Sequence, residues 1–414
     1  MGEGPGVRVA LVSSEPIRPR MAGIGIRYFE LARRLPERGI EVVLVSPAEP
    51  EETAELLPDT EIRRFERGRL AEILRDCDAA VAQGQLANDV ILELPQLPVA
   101  IDLYDPWLIE NLSYTATLGL DPYRNDHATW VLQMSRGDFF LCSSEEQRTF
   151  YLGFLTALGR INPEKLDVDS LIAPVPFGVP GELAPHQPVL PPAEGERRLL
   201  FGGLYDWYDP WTLLDALKEL EIPSWTLLLI RNPNAEGTPQ RLLGEVEARC
   251  RKLGWWGSRV KTLDWVPAER RYDLLRDVDL LVAPHTPSLE TRLSLRTRFL
   301  DALAAGCPVI TSEGGTMSRL LREHDAGWVV PPKDPKALAA ALREVLSGVR
   351  REGARELLEN FTWDRALEPL VRFCRDPKRD ETKDRFSHRP ATVTPPDPLP
   401  FRLKRRLRLW RLAR

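Results

Sequence analysis

From Val7 onward the chain alternates between short apolar runs and segments with helical spacing. Residues 7–14, VRVALVSS, alternate and then run apolar, as a parallel strand buried on both faces does. A glycine-containing loop, EPIRPRMAGIG, follows. IRYFELARRLPERG then sets Ile26, Phe29, Leu31 and Leu35 near helical spacing and stops at Gly39. IEVVLVSP is a second strand, so the chain opens with strand–helix–strand, the unit of a doubly wound sheet. DAAVAQG (78–84), LPVAIDLYD (97–105) and DFFLCSS (138–144) read as further strands. A helix, EEQRTFYLGFLTAL, comes next, and IAPVPFGVP (172–180) closes this half.

Residues 181–197, GELAPHQPVLPPAEGER, are rich in proline, lack periodicity and read as a linker. The pattern then restarts. RLLFGG, SWTLLLI, VKTLDWV, DLLVAP, CPVITS and GWVVPP read as strands, separated by segments of helical spacing. The expected division is therefore a first α/β domain over 1–180, a linker over 181–197 and a second α/β domain over 198–350. Helices over 351–375 follow, for which a return to the first domain is open. Residues 376–401 are charged and then proline-rich, too poor in apolar surface to order themselves, and are expected to be a disordered linker. A tail spans 402–414.

Composition narrows the functional classes. The chain of 414 residues, 43% hydrophobic and 28% charged, is that of a soluble globular protein with more than one core. No apolar run reaches the length of a membrane span, and the first residues read as a strand rather than a signal peptide. Five scattered cysteines without a C-x-x-C pair argue against a disulfide framework or a zinc site and favour the cytoplasm. The histidines also lack metal-ligand spacing, so no metal site is expected. The tail at 402–414 carries seven cations and no acid, so with a net charge of −5 overall the preceding 401 residues carry −12. Phe401, Leu403, Leu407, Trp410 and Leu412 interleave its arginines. That pattern suits an amphipathic segment on an anionic membrane surface, or one that docks on a protein or stays solvated. The acidic body disfavours nucleic acid.

Ligands of open α/β sheets bind beyond the carboxyl ends of the strands, so strand-end loops are where chemistry is sought. MAGIGIR (21–27) lacks the third glycine of a dinucleotide fingerprint, and the second strand ends Val45-Ser46-Pro47 without an acid. What remains is a loop whose Gly23 and Gly25 let backbone N–H groups approach a ligand, or a plain turn. FGGLYDWYDP (201–210) sets Gly202 and Gly203 after a strand and puts Tyr205, Trp207 and Tyr208 in a loop. Such aromatics meet a substrate or pack between domains. In ETRLSLRTRFLDALAAG (290–306) a helix is expected from a Ser294 cap to Ala305, with Gly306 as its stop. Ser294, Thr297, Arg298 and Asp301 share its polar face, which begins at the helix N-terminus. N–H groups and arginines there suit a diphosphate, and Asp301 one turn further in suits the vicinal hydroxyls of a ribose. The competing reading is a solvated face with an Arg298–Asp301 ion pair.

These residues also carry a resemblance. FLDALAAGCPVITSEGG is similar to the LEAMAAGxPVIAS..GG segment of the retaining glycosyltransferases of family 4. PVPFGVP resembles their interdomain xNGVD segment, and AGWVVPPKDPKALAAAL their G.LVPPGDPEALAEAL. AGIGIRYFELAR, DLYDPWLIE, SEEQRTFYLGFLTALGRINP, GGLYDWYDPWTL and ETRLSLRTRFLDALAAG resemble the motifs of a narrower bacterial subgroup, with GGxYDWxDP and ETRxSxRTRxLD among them. The resemblance covers roughly residues 7–345. It implies a GT-B fold: α/β, two Rossmann-like doubly wound domains facing a central cleft, here with a C-terminal tail. It implies a retaining hexosyltransferase that needs no metal or cofactor and takes a nucleotide diphosphate sugar, with UDP, GDP and dTDP left open. Asp301 matches the family's ribose-holding Glu. The first Glu of the family pattern, eight residues earlier, is replaced by Leu293, and Glu290 is expected to substitute for it. The family's Arg and Lys after the first strand of the second domain are absent, so Arg296 and Arg298, with Arg231, are expected to meet the diphosphate.

Gly23, Gly25, Gly202, Gly203, Ser294, Leu295 and Thr297 complete the expected donor site, with the base against RNPN (231–234) and against Trp265 and Val266. Asp102, Tyr104, Asp105, Tyr205 and Trp207 are candidates for sugar or acceptor. A glycan or lipid-linked acceptor of the cell envelope, or a glycosylated metabolite, fits a cytoplasmic enzyme peripheral to the inner face of the membrane. A catalytically silent GT-B module and a nucleotide-sugar epimerase are the competing functions.

Overall fold

The structure is a computed structural model, and it describes residues 6–115, 119–220, 222, 224–231 and 241–387. It divides into two compact units. The first comprises residues up to Arg18, Ile24–Val175 and the chain from Glu368 onward; the second comprises Pro19–Gly23 and Pro176–Leu367. The division near the C-terminus falls inside one helix, Trp363–Arg375.

The first unit holds a seven-stranded sheet of β1 (Arg8–Val12), β2 (Glu41–Ser46), β3 (Glu61–Arg64), β4 (Ala79–Ala82), β5 (Val99–Asp102), β6 (Phe139–Cys142) and β7 (Ile172–Pro174). Its order is β3-β2-β1-β4-β5-β6-β7, with every pairing parallel. β4, β5 and β6 are buried along their whole length, the burial a parallel sheet sandwiched by helices requires. β3 has no hydrophobic pattern to announce it. It lies at the sheet edge with its ends exposed, and Arg63 and Glu61 join Arg8 and Asp76 in an ion-pair cluster over that edge. Charges of this kind deter pairing with a further strand.

The second unit repeats the topology. β8 (Arg197–Gly202), β9 (Trp225–Ile230), β10 (Val260–Leu263), β11 (Leu280–Ala283), β12 (Val309–Ser312) and β13 (Trp328–Val330) form a parallel sheet in the order β10-β9-β8-β11-β12-β13. In both sheets the strand order reverses beside the first strand of the unit, which creates a crevice at the carboxyl ends of β1 and β4 and another at those of β8 and β11. Leu199, Phe201, Leu281, Val282, Phe299 and Ile310 lie at the centre of the second core.

Both connecting stretches are fastened to their units, although only the second was expected to be disordered. The proline-rich stretch after residue 181 is fastened along the second unit. Asp277 accepts from the Val189 and Leu190 amides (2.6 and 2.8 Å), and Asp273 accepts from Gln187 (3.0 Å). The disordered linker expected from residue 376 is corrected over 376–387, which are ordered in the first unit and include a short helix, Thr382–Phe386. The reason is charge rather than apolar surface. Asp380 pairs with the buried Arg160 (2.8 Å), and Lys383 pairs with the buried Asp138 (2.5 Å), whose other oxygen accepts the Val99 amide. Removing one partner of such a pair leaves an uncompensated charge. Residues 388–401 and the tail at 402–414 lie outside the described residues.

Candidate functional site

The crevice of the second unit is built from two strand ends that face each other. β8 ends at Gly202, where its register against β9 shifts and the backbone turns to φ +86°, a conformation natural to glycine. A side chain there would also place Cβ 2.8 Å from Nη1 of Arg298. β11 ends at Ala283, and Pro284–His285 follows. The two loops are stitched together: Asp209 N–H donates to Pro284 O (2.9 Å), and Thr286 N–H to Trp207 O (3.0 Å).

The helix expected from Ser294 to Ala305 starts later, and a separate short helix precedes it. Ser288 caps a short helix, Leu289–Leu293, by accepting from the Thr291 amide. Ser294 ends that helix in an extended conformation, and a second helix, Thr297–Ala304, starts after Arg296. Ser294 is therefore not an N-cap. Its hydroxyl instead donates to Glu290 (2.8 Å). The stop is as expected: Gly306 adopts φ +74°, and Cys307 N–H closes on Ala302 O (2.8 Å). The helix N-terminus has no side-chain cap, so its first amides point out from the break at Ser294–Arg296.

Arg298 lies under the glycine turn. It donates to Phe201 O (3.1 Å) and Gly203 O (3.3 Å), and its guanidinium sits 4.8 Å from the Tyr208 ring centroid. Arg296 pairs with Glu290 (2.6 Å) and lies over Trp207 and Tyr208. Both members of that pair are almost buried, with side chains 10% and 6% exposed. Glu290 thus holds an arginine and a serine, a role the sequence did not suggest.

Asp301 is held by the helix Arg271–Arg276. Arg271 approaches it at 3.4 Å, and Tyr272, whose hydroxyl accepts from Arg271 (3.0 Å), hydrogen-bonds to it as well. Burial and the Asp301 charge hold the Tyr272 phenol above its ordinary range, so it stays a donor. A carboxylate has about four lone-pair sites; two partners therefore orient Asp301 and leave capacity for a diol.

The aromatic loop packs within its own unit. Tyr205 stacks on Trp207 (5.1 Å, 21°), and Tyr208, which is buried, faces His285 (4.8 Å). Gly203 is small because the Tyr205 ring lies over it. Leu295 is buried in the core beneath the break, and Thr297, partly buried, opens the helix. Arg231 follows β9, is exposed, and adjoins residues outside the description. Trp265 and Val266 follow β10 half-buried, and Trp265 donates to Met21 O (3.2 Å).

Other candidates are placed elsewhere. Gly23 and Gly25 stand in the first turn of the helix Gly23–Arg34 rather than in a loop, and the Gly25 amide is taken by the Glu15 carboxylate (2.6 Å). Asp102 is fully buried in the first unit, where Arg27 binds both its oxygens (2.6 and 3.2 Å) and the Tyr104 amide joins them. Burial works against the Arg27 cation, but Asp102 outweighs it. Tyr104 packs against Arg27 (5.0 Å), and Asp105 is half-buried beyond it. Asp102 and Tyr104 are thereby spent inside the unit. Three residues of the second crevice were missed in the sequence: Arg271, Tyr272 and His285. They occupy ordinary-looking loop and helix positions and acquire their neighbours only in three dimensions.

Comparison with known proteins falls on the same unit. Residues 196–348 match the family model described as glycosyl transferases group 1. Two solved structures match nearly the whole chain. One is sucrose-phosphate synthase from Thermosynechococcus elongatus, with TM-score 0.65 and 16% identity over 89% of this chain and 98% of that one. The other is Anabaena HepE in complex with UDP-glucose, with TM-score 0.62 and 16% identity over 88% and 99%. The fold is GT-B. Among curated proteins, the D-inositol 3-phosphate glycosyltransferase of Jonesia denitrificans is 28% identical over 188 residues, 43% of this chain and 42% of that protein. The chain thus spans less than half the length of this relative. Among the described residues no helix is long and apolar enough to cross a membrane.

Proposed function

We propose that the chain is a glycosyltransferase that moves a sugar from a nucleotide diphosphate sugar to an acceptor, with its donor in the crevice of the second unit. One observation carries this reading. Arg298, the Gly202–Gly203 turn, the uncapped start of the helix Thr297–Ala304 and Asp301 form one assembly, inside the segment that matches the glycosyltransferase model. Cations and backbone N–H groups meet a diphosphate at the helix start, and a carboxylate one turn on meets the ribose. One structural neighbour, Anabaena HepE, was solved in complex with UDP-glucose.

Charge develops on the diphosphate as the sugar leaves. Arg298 and Arg296 are preorganised there, one by backbone carbonyls and one by Glu290, so they stabilise that charge without moving. The reading therefore uses the chain's own cations, and by the same family resemblance transfer retains the anomeric configuration. The acceptor is taken to be a glycan or a lipid-linked glycan, with the basic sequence at 402–414 bringing the protein to the anionic inner face of the membrane.

The test is calorimetry with UDP, GDP and dTDP. The wild type is expected to bind one of them, and Asp301→Asn to weaken it by roughly 10- to 100-fold, the loss of hydrogen bonds to a charged group. Equal affinity of the wild type and the variant refutes the ribose role.

A further inference from the structure

We infer that the turn between the helix Arg241–Lys252 and β10, with its two tryptophans and the cations around them, rests on an anionic lipid surface. The inference uses folded residues of the second unit alone. It depends neither on the tail at 402–414 nor on what the crevice binds.

Residues 248–263, ARCRKLGWWGSRVKTL, carry five cations, Trp255 and Trp256, and no acid. The body of the chain ahead of the tail has a net charge of −12, so a run of +5 within 16 residues is a strong local excess. The turn is tightly built. Trp255 N–H closes on Cys250 O (2.9 Å), Val260 N–H on Trp255 O (2.8 Å) and Gly257 N–H on Val260 O (2.9 Å). Trp255 packs edge-on against the buried Trp225 (5.2 Å, 89°). Both tryptophans of the turn are thereby held half-buried at the surface.

Two of the five cations have an ordinary structural role. Arg249 and Arg251 stand in the last turn of the helix, where the macrodipole favours them, and pair with Asp215 (2.5 Å) and Glu247 (2.6 Å). The other three are not held this way. Lys252 is exposed and has no carboxylate partner among the described residues, and Arg259 lies over the Trp225 ring (5.0 Å) with none either. Lys261 reaches Glu196 only at 4.0 Å. It stands on the edge strand of its sheet, where a lysine also deters strand pairing. Lys252 and Arg259 lie off the strand, so that role does not account for them.

Cations without acids attract a negatively charged surface. Tryptophan beside them is the residue that settles at the headgroup level of a bilayer, its apolar body inward and its polar edge in the wet layer. Nucleic acid fits less well, because base stacking needs an open ring face. Arg251 lies over Trp256 (5.9 Å), and Trp255 is packed on Trp225. Position agrees with lipid. The turn leads into the amino end of β10, whereas the crevice lies at the carboxyl ends of β8 and β11. Contact at the turn leaves the crevice open to a water-soluble donor.

The experiment labels the turn. Ser258 is exposed, and the native cysteines are all buried, so an environment-sensitive fluorophore on Ser258→Cys reports on the turn alone. The full-length protein is titrated at low salt with vesicles of phosphatidylglycerol and phosphatidylcholine in equal parts, with phosphatidylcholine vesicles, and with single-stranded RNA. Sedimentation is measured for the wild type and for Lys252→Gln/Arg259→Gln/Lys261→Gln. The control is Arg64→Gln/Arg67→Gln/Arg69→Gln, which removes the same charge from exposed positions of the first unit. The label is expected to shift to the blue with the anionic vesicles and not with phosphatidylcholine. A cation near such a surface contributes about fivefold in affinity, so the first triple variant should bind roughly 100-fold more weakly and the control within about fivefold of wild type. Should the triple variant not fold, Lys252→Gln alone is expected to lose about fivefold. An unshifted label on protein that sediments places the turn away from the lipid and overturns the inference. Equal loss in the two triple variants overturns it as well, since net charge alone would then be acting. RNA binding that falls in the first variant while vesicle binding holds would make the turn a nucleic-acid surface instead. A wild type that binds neither vesicle ends the inference outright.

Discussion

Replacing Gly202 by Ala tests whether the glycine turn and Arg298 work as one unit. The native residue adopts φ +86°, and an added Cβ would lie 2.8 Å from Arg298 Nη1. Two costs follow. The backbone conformation costs a residue with a side chain about 1–2 kcal/mol. The guanidinium must also move off its two carbonyl partners, Phe201 O and Gly203 O, at 3.1 and 3.3 Å. Hydrogen bonds from a charged donor contribute about 1.5–3 kcal/mol each, so losing one of them already doubles the penalty. In Arg298→Ala those bonds are gone beforehand. Adding Gly202→Ala to that background should cost the backbone term alone, so the double variant should be more stable than the sum of the single losses by about 1.5–3 kcal/mol. Amide exchange of β8 reads the local stability of this strand, and a double-mutant cycle on those rates gives the coupling. Additivity within about 0.5 kcal/mol would mean that the two residues do not meet, and the preorganisation argued for Arg298 would go with it.

Two further predictions concern the first unit and the tail. Burial lifts the Asp126 carboxyl from an ordinary 3.8 to about 6, against the opposing pull of Asn111. The folded state then binds more protons than the unfolded one between those values, so stability falls as pH rises through them and stays lower above. Asp126→Asn should raise the thermal midpoint at pH 7.5, by up to ~3 kcal/mol of stability, and leave it nearly unchanged at pH 4; an equal gain at both values would refute the titration argument. Deleting residues 402–414 should leave nucleoside diphosphate affinity intact and lower co-sedimentation with phosphatidylglycerol vesicles, most clearly at low salt. Undiminished sedimentation would show that the tail is not what attaches.

Much of the architecture was legible in the sequence because it is local. A buried parallel strand writes itself as a short apolar run, and a helix as a repeat that glycine ends, so LLVA at 280–283 and the stop at Gly306 needed no partner to be read. The edge strand Glu61–Arg64 was silent because its charged side chains meet other charges over the sheet edge, and nothing in its pattern demands burial. The order of the 376–387 segment was silent for a related reason. Its apolar content is low, and what holds it is Asp380 and Lys383 meeting Arg160 and Asp138, more than two hundred residues away.

The site divides along the same line. Sequence alone determined which residue types stand at the strand ends: the paired glycines after β8, the arginines and acid of 290–301, and the family those motifs resemble. Only the tertiary structure decided what each side chain faces. It moved the helix start from Ser294 to Thr297, turned Glu290 to Arg296 and Asp301 to Arg271 and Tyr272, closed Asp102 against Arg27, and left Nε2 of His285 buried without a donor among the described residues. Periodicity is carried by neighbours a few residues apart, whereas a hydrogen bond or an ion pair depends on groups within about 3–4 Å in space, and only folding brings distant parts of the chain that close.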